Sequence, residues 1–149
     1  MPQYARPSSD MLGSNTFFVN QVGANTSLYQ SIDEVSADDA DYIVSAKNPV
    51  DNVFATKLTS VSDPLVDGGH TINFRYKKDV AVNPETIDLI IQIREAYANE
   101  ASPGTLIATN TYNDISSSWT TSALLLSDVE AGAITDHANL TRRVVFNKP

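Results

Sequence analysis

Two stretches of apolar–polar alternation, His70–Lys78 and Thr86–Tyr97, limit what this chain can fold into. In the first, Ile72, Phe74 and Tyr76 fall on one side, with Thr71, Asn73, Arg75 and Lys77 on the other. In the second, Ile87, Leu89, Ile91 and Ile93 share a side, opposite Asp88, Gln92 and Arg94. Successive side chains of an extended strand point to opposite faces, so both stretches read as strands with one apolar face. Gly68-Gly69 marks the entry and Asn83-Pro84 the connection between them. The expected arrangement is an antiparallel pair whose apolar face needs a second sheet to cover it.

Shorter strands are expected around this pair. They fall at Phe17–Val22, Tyr42–Ser45, Val53–Val61 (Phe54, Thr56 and Leu58 on one face), Leu106–Thr111, Trp119–Leu126 and Leu140–Phe146. In the last of these Leu140, Val144 and Phe146 lie on one side. Ser127 and Glu130 have capping-box spacing and predict one short helix near Ser127–Ile134, which Gly132 limits to two turns. Ser31 and Glu34 have the same spacing and predict a single helical turn. Eight or nine short strands with turns at near-regular intervals read as an all-β, jelly-roll-like antiparallel β-sandwich. Residues 17–149 form that single domain, preceded by an extended N-terminal arm over residues 1–16.

The arm is polar and rich in proline and serine, with too little apolar surface to order itself. The expectation is that it lies on a neighbouring subunit through Tyr4, Met11 and Leu12, and that the sandwich folds without it. Tyr4 is the expected anchor, since its ring supplies area and its hydroxyl a hydrogen bond.

Charge and composition exclude several function classes. A formal net charge of −8 argues against a phosphate-backbone partner, which requires a basic face. Arg142-Arg143 and Lys77-Lys78 are too small to supply one; they are expected to pair with an acidic neighbour or to face water. The chain has no cysteine, so disulfides, thiolate metal sites and cysteine nucleophiles are out. No apolar run approaches the length of a membrane span, and the N-terminus lacks the apolar centre of a signal peptide. No membrane or nucleic-acid partner is therefore expected.

Several segments stand in a familiar order. Leu28-Tyr29, Ile32-Asp33-Glu34, Asp39-Ala40-Asp41-Tyr42-Ile43 and Ser45 precede Phe54 and Leu58-Thr59-Ser60-Val61-Ser62-Asp63-Pro64. Gly69-His70-Thr71-Ile72, Arg75-Tyr76-Lys77-Lys78-Asp79, Trp119-Thr120-Thr121 and Ala131–Asp136 follow, then the Leu140 strand. The series, from about residue 17 to 146, resembles a β-sandwich module of virion proteins of tailed bacteriophages, both capsid-decorating and tail-associated. The resemblance implies a structural or adhesive role without a catalytic site. The expected function is non-enzymatic: a capsid decoration (cement) protein in the virion, docking on the phage major capsid protein or other virion subunits. A homo-oligomer, trimer or dimer, suits shell junctions. The alternatives are a tail-associated adhesion or adaptor protein and a carbohydrate-binding module. The arm lies outside the resemblance, and the Asn99–Gly104 loop is longer than the module needs.

The remaining polar groups do not assemble into chemistry. Asp33, Glu34, Asp38, Asp39 and Asp41 lack the spacing and glycine of a calcium loop and read as a solvated acidic turn. They also lack the two separated carboxylates of a glycosidase. His70 and His137 have no second ligand at metal spacing, and no nucleophile elbow or phosphate loop is present. No cofactor and no metal are expected. Trp119 is expected in the core, and the Asn25 and Asn139 sequons read as chance.

Overall fold

The computed structural model describes residues 3–11, 17–79 and 85–149. Among these residues nine strands run in the order β1 (Pro7–Asp10), β2 (Phe18–Asn20), β3 (Ile43–Ser45), β4 (Asn52–Leu58), β5 (Thr71–Tyr76), β6 (Asp88–Glu95), β7 (Thr105–Tyr112), β8 (Thr120–Leu125) and β9 (Leu140–Asn147). One α-helix, α1 (Asp128–Gly132), precedes β9, and a 3₁₀ turn spans Leu28–Ser31. The fold is an all-β antiparallel sandwich, as expected. Its main layer is a five-stranded sheet in the order β1-β4-β9-β6-β7; the ladders β2-β3 and β5-β8 have two strands each.

Register assigns the two small ladders to one face. Phe54 of β4 pairs with Val144 of β9, and Val144 with Ile91 of β6, so these side chains point the same way. Ile91 and its neighbours Leu89 and Ile93 pack with Leu124 and with the half-buried Ile72, Phe74 and Tyr76 of the β5-β8 ladder. Phe54 packs with Phe18 of β2 and Leu28, and with the half-buried Ile32, Ile43 and Phe146. The main sheet thus presents one apolar face, covered at one side by β5-β8 and at the other by β2-β3.

This corrects the expected central pair. β5 bonds β8, and β6 bonds β7 and β9, so the two alternating stretches are not neighbours in a sheet. Their apolar faces meet across the core instead. Alternation fixes which side of a strand is apolar, but that side is satisfied equally by a partner layer or by a neighbour's continuation of the same face.

The arm is also corrected, as far as it is described. β1 pairs with β4 as an edge strand, with a register shift between Pro7 and Ser9. Thr59 N–H donates to the Arg6 carbonyl at 2.7 Å, and Met11 N–H to the Ala55 carbonyl at 3.0 Å. Backbone bonding to a sheet edge needs no apolar side chains, so a polar segment finds its seat on its own domain. Asp10 does more. Its two carboxylate oxygens accept from the N–H groups of Leu28 and Tyr29, each at 2.8 Å, while Ser27 at the head of the 3₁₀ turn makes no side-chain cap.

The Ser127–Glu130 capping box forms as read, with Glu130 N–H donating to Ser127 and Ser127 N–H to Glu130. The turn expected at Ser31–Glu34 lies upstream, because Asp10 supplies the acceptors at Leu28 and Tyr29 rather than Ser31 supplying its own.

Asp10→Ala removes two acceptors from a helical turn, a loss like that of an N-cap, which costs about 0.5–2 kcal/mol. The variant should melt at a lower temperature than the parent in a thermal scan. Deleting residues 3–11 should lower the melt further. An unchanged melt in both would show that the arm contributes nothing to the domain.

Candidate functional site

The outer side of the β2-β3 ladder is apolar. Val19 pairs with Val44, and Ala46 N–H donates to the Phe17 carbonyl at 2.7 Å, so Phe17, Val19, Val44 and Ala46 share the side away from the core. Phe17 is 55% exposed and Val44 44%. These residues border a shallow hollow of about 250 Å³. Sharing Val44 and Ser45 with it is a larger groove of about 700 Å³. Ile43, Ile87, Ile115 and Phe146 are among its apolar lining residues, and Lys47, Lys77, Lys78, Asp79 and Glu85 among its charged ones. Lys78 is tied to Asp114 and donates to the Glu85 carbonyl at 2.9 Å, while Glu85 pairs with Lys148 at 2.7 Å. Four of the chain's five lysines thus belong to this end of the sandwich, on a protein of net charge −8.

Beside the groove, Trp119 lies half-buried on the outer side of the β5-β8 ladder, not in the core as expected. Lys77 Nζ sits 4.8 Å from its ring centre, the Arg75 guanidinium 5.7 Å, and the Tyr42 ring meets it edge-on at 6.1 Å. Arg75 reaches on to Asp39 through two bonds of 2.8 and 2.9 Å and to Thr121 at 2.7 Å. Phe74, Tyr76 and Tyr112 instead cluster toward the core with centroids 5.4–5.8 Å apart, Phe74 stacked on Tyr76 and edge-on to Tyr112.

The acidic loop is stitched at both margins. Arg75 holds Asp39, and Arg6 of the arm donates to the Glu34 carbonyl at 2.6 Å. Beneath the loop, Arg142 points into the sandwich, in register with Thr56 on one side and Ile93 on the other. All four buried side-chain polar atoms without a hydrogen-bond partner among the described residues belong to Arg142, Thr56, Glu34 and Asp41. Burial drives the Arg142 pKa down to about 10, against the pull of the Glu34 charge. Burial likewise raises the Glu34 carboxyl, and Asp41 adds to the rise. Arg142 is half-buried and forms no ion pair among the described residues, so the Glu34 charge on the acid-rich loop acts on it through space.

The opposite face of the main sheet carries a second fastening. Arg143 donates to both oxygens of Glu100 at 2.8 and 2.6 Å, and Tyr97 Oη donates to Glu100 at 2.7 Å. The Arg143 bond holds the Glu100 carboxyl below its usual range, and burial pushes the Tyr97 hydroxyl up. Gly104 closes this loop at φ +61°, where an added Cβ would lie 2.1 Å from the Glu95 carbonyl oxygen, so no other residue fits.

The sequence-named residues sort as follows. Tyr4 is 71% exposed, with Arg6 5.9 Å from its ring; Met11 is half-buried beside β4; Leu12 lies outside the described residues. His70 and His137, far apart in sequence, come together with ring centres 6.5 Å apart. Among the described residues no three acidic or histidine side chains gather as cation ligands. Sequence reasoning missed the inward Arg142, although it shares the parity of Leu140, Val144 and Phe146. It also missed the Phe17–Val44 surface, which depends on strand pairing. No family model, curated protein or solved structure matches the chain.

Two outcomes follow. In a double-mutant cycle, Arg142→Met with Glu34→Gln should be more stable than either single variant. The favourable coupling in the parent should be about 0.5–3 kcal/mol by urea denaturation; zero coupling would mean that the two groups do not interact. Glu100 has a depressed folded-state pKa, so its stabilisation is present above the unfolded value of about 4.3 and is lost as pH falls through the folded one. Glu100→Gln should therefore melt lower than the parent at pH 7, and the gap should close as pH falls below about 4.

Proposed function

We propose that this chain is a non-enzymatic structural protein of a tailed-phage virion. In that role it is a capsid decoration protein that docks on the major capsid protein at subunit junctions. The observation that carries the reading is the apolar outer side of the β2-β3 ladder running into the lysine-rimmed groove. Exposed apolar surface rimmed by charge is how a protein-docking patch is built: the centre excludes water and the rim selects the partner. The ordered resemblance to virion β-sandwich modules supplies the class of partner.

The charge arrangement supports one kind of shell surface. Lys47 makes no ion pair among the described residues, and Lys77 lies over Trp119, so both can meet carboxylates presented by the partner. The rest of the chain is acidic and would repel that same surface, which restricts docking to one orientation. Phe17 is the aromatic anchor beside the shallow hollow, and exposed Tyr4 offers a second contact from the arm. Repetition over a lattice lets a modest contact reinforce a whole shell.

The test is co-sedimentation of purified protein with shells that lack it. Phe17→Ala should weaken attachment about tenfold, as expected for loss of an aromatic anchor worth about 1.4 kcal/mol. Lys47→Glu should weaken it too, while both variants melt like the parent. Parent protein that fails to sediment with shells, or that binds isolated tails instead, would overturn the head assignment. Undiminished binding by both variants would move the docking site elsewhere.

A further inference from the structure

The chain's only two histidines, His70 and His137, meet at one end of the sandwich with ring centres 6.5 Å apart. His70 directly precedes β5, and His137 lies in the turn before β9. One ring therefore belongs to the β5-β8 ladder and the other to the main sheet. Both residues are half-buried. Their backbones are fixed: the His70 carbonyl accepts from Leu126 N–H at 2.9 Å, and the His137 carbonyl from Val61 N–H at 3.5 Å. The turn that carries His137 is held by Glu95, whose carboxylate accepts from the N–H groups of Thr135 and Asp136 at 2.7 and 3.1 Å. Asp136 holds it too, accepting from Ala138 N–H at 3.0 Å.

One bond decides which nitrogen of His70 is available. Its Nε2 lies 2.8 Å from the Val66 carbonyl oxygen. A carbonyl only accepts, so in the neutral ring Nε2 carries the proton and Nδ1 keeps its lone pair. A metal-bound imidazole has this arrangement: it donates to a carbonyl through one nitrogen and ligates through the other. Metal–nitrogen bonds of about 2.0–2.1 Å hold the ring centres of two imidazoles on one ion roughly 5–6 Å apart, so a small turn of either ring closes the gap. The charge around the pair suits a cation. Residues 59–73 and 119–141, which carry the two histidines, include Asp63, Asp67, Asp128, Glu130 and Asp136 but no lysine or arginine.

We infer that His70 and His137 form a two-histidine site for a divalent transition metal such as zinc or copper. Imidazole nitrogen favours these ions over calcium and magnesium, which take oxygen ligands. No third histidine or carboxylate joins the pair among the described residues, so water fills the remaining coordination positions. An ion held by both rings clips the β5-β8 ladder to the main sheet. A ladder of two strands is marginal alone, and the clip adds to the packing that holds it. This inference does not depend on the shell-docking reading, whose groove lies past the other end of β5, at Lys77 and Lys78.

The test is a calorimetric titration and a thermal scan of the full chain with zinc chloride near neutral pH. The parent should bind one zinc ion and melt at a higher temperature with it, because an ion that binds only the folded state stabilises that state. His70→Gln and His137→Gln should each weaken zinc binding at least about tenfold and lose most of the rise in melting temperature. Copper(II) on the parent should give a paramagnetic resonance spectrum with two nitrogen ligands, a readout that needs no variant. Magnesium chloride should leave the melt unchanged. A parent whose melt ignores zinc would overturn the inference. So would zinc binding that survives both substitutions, or a copper spectrum of oxygen ligands alone. An equal rise with magnesium would overturn it as well, by assigning the ion to carboxylates.

Discussion

The structure depends on one mismatch: a five-stranded sheet offers a single broad apolar face, and no single second sheet covers it. Two separate ladders do, each only two strands wide. Two strands alone are marginal, so each ladder owes its order to the main sheet beneath it. Between the ladders runs a seam, and the unusual chemistry of the protein lies along it. The lysine-rimmed groove opens between residues of β3 and those just after β5. The bond from Asp39 to Arg75, with Tyr42 against Trp119, ties the segment before β3 to the β5-β8 ladder. Arg142, Thr56, Glu34 and Asp41 hold the polar atoms that the apolar clusters leave uncovered.

Arginine and lysine divide the work on this acidic chain. Each arginine fastens a loop or faces one. Arg6 and Arg75 hold the acidic loop, and Arg142 lies beneath it. Arg94 donates to the Pro103 carbonyl at 3.0 Å, and Arg143 grips Glu100 in the same loop. A planar guanidinium with several fixed donors suits such fastening, because one side chain can satisfy two acceptors at once. Lysine is a point charge on a flexible stem, and four of the five lysines stand around the groove or pair with its wall. The arginines therefore hold loops in shape, while Lys47 and Lys77, which form no ion pair among the described residues, leave positive charge beside the apolar side of β2-β3.

How much of this was legible in the sequence follows from what alternation encodes. The faces of β4, β6 and β9 were readable because Phe54, Leu89, Ile91, Ile93 and Val144 repeat at period two. The helix was readable because Ser127 and Glu130 satisfy each other locally. Partners were not. Nothing in Ile72-Asn-Phe-Arg-Tyr76 says whether its apolar side meets β6 in the same sheet or across the core. The arm was misjudged because its seat is made of backbone bonds, which composition does not record. Trp119 was misjudged because its ring is covered by Lys77 and Arg75, so charge took the part assumed for apolar neighbours. The Phe17–Val44 surface needed both strand pairing and register, which are long-range facts. Arg142 alone was within reach, since its parity already placed it among the inward residues of β9.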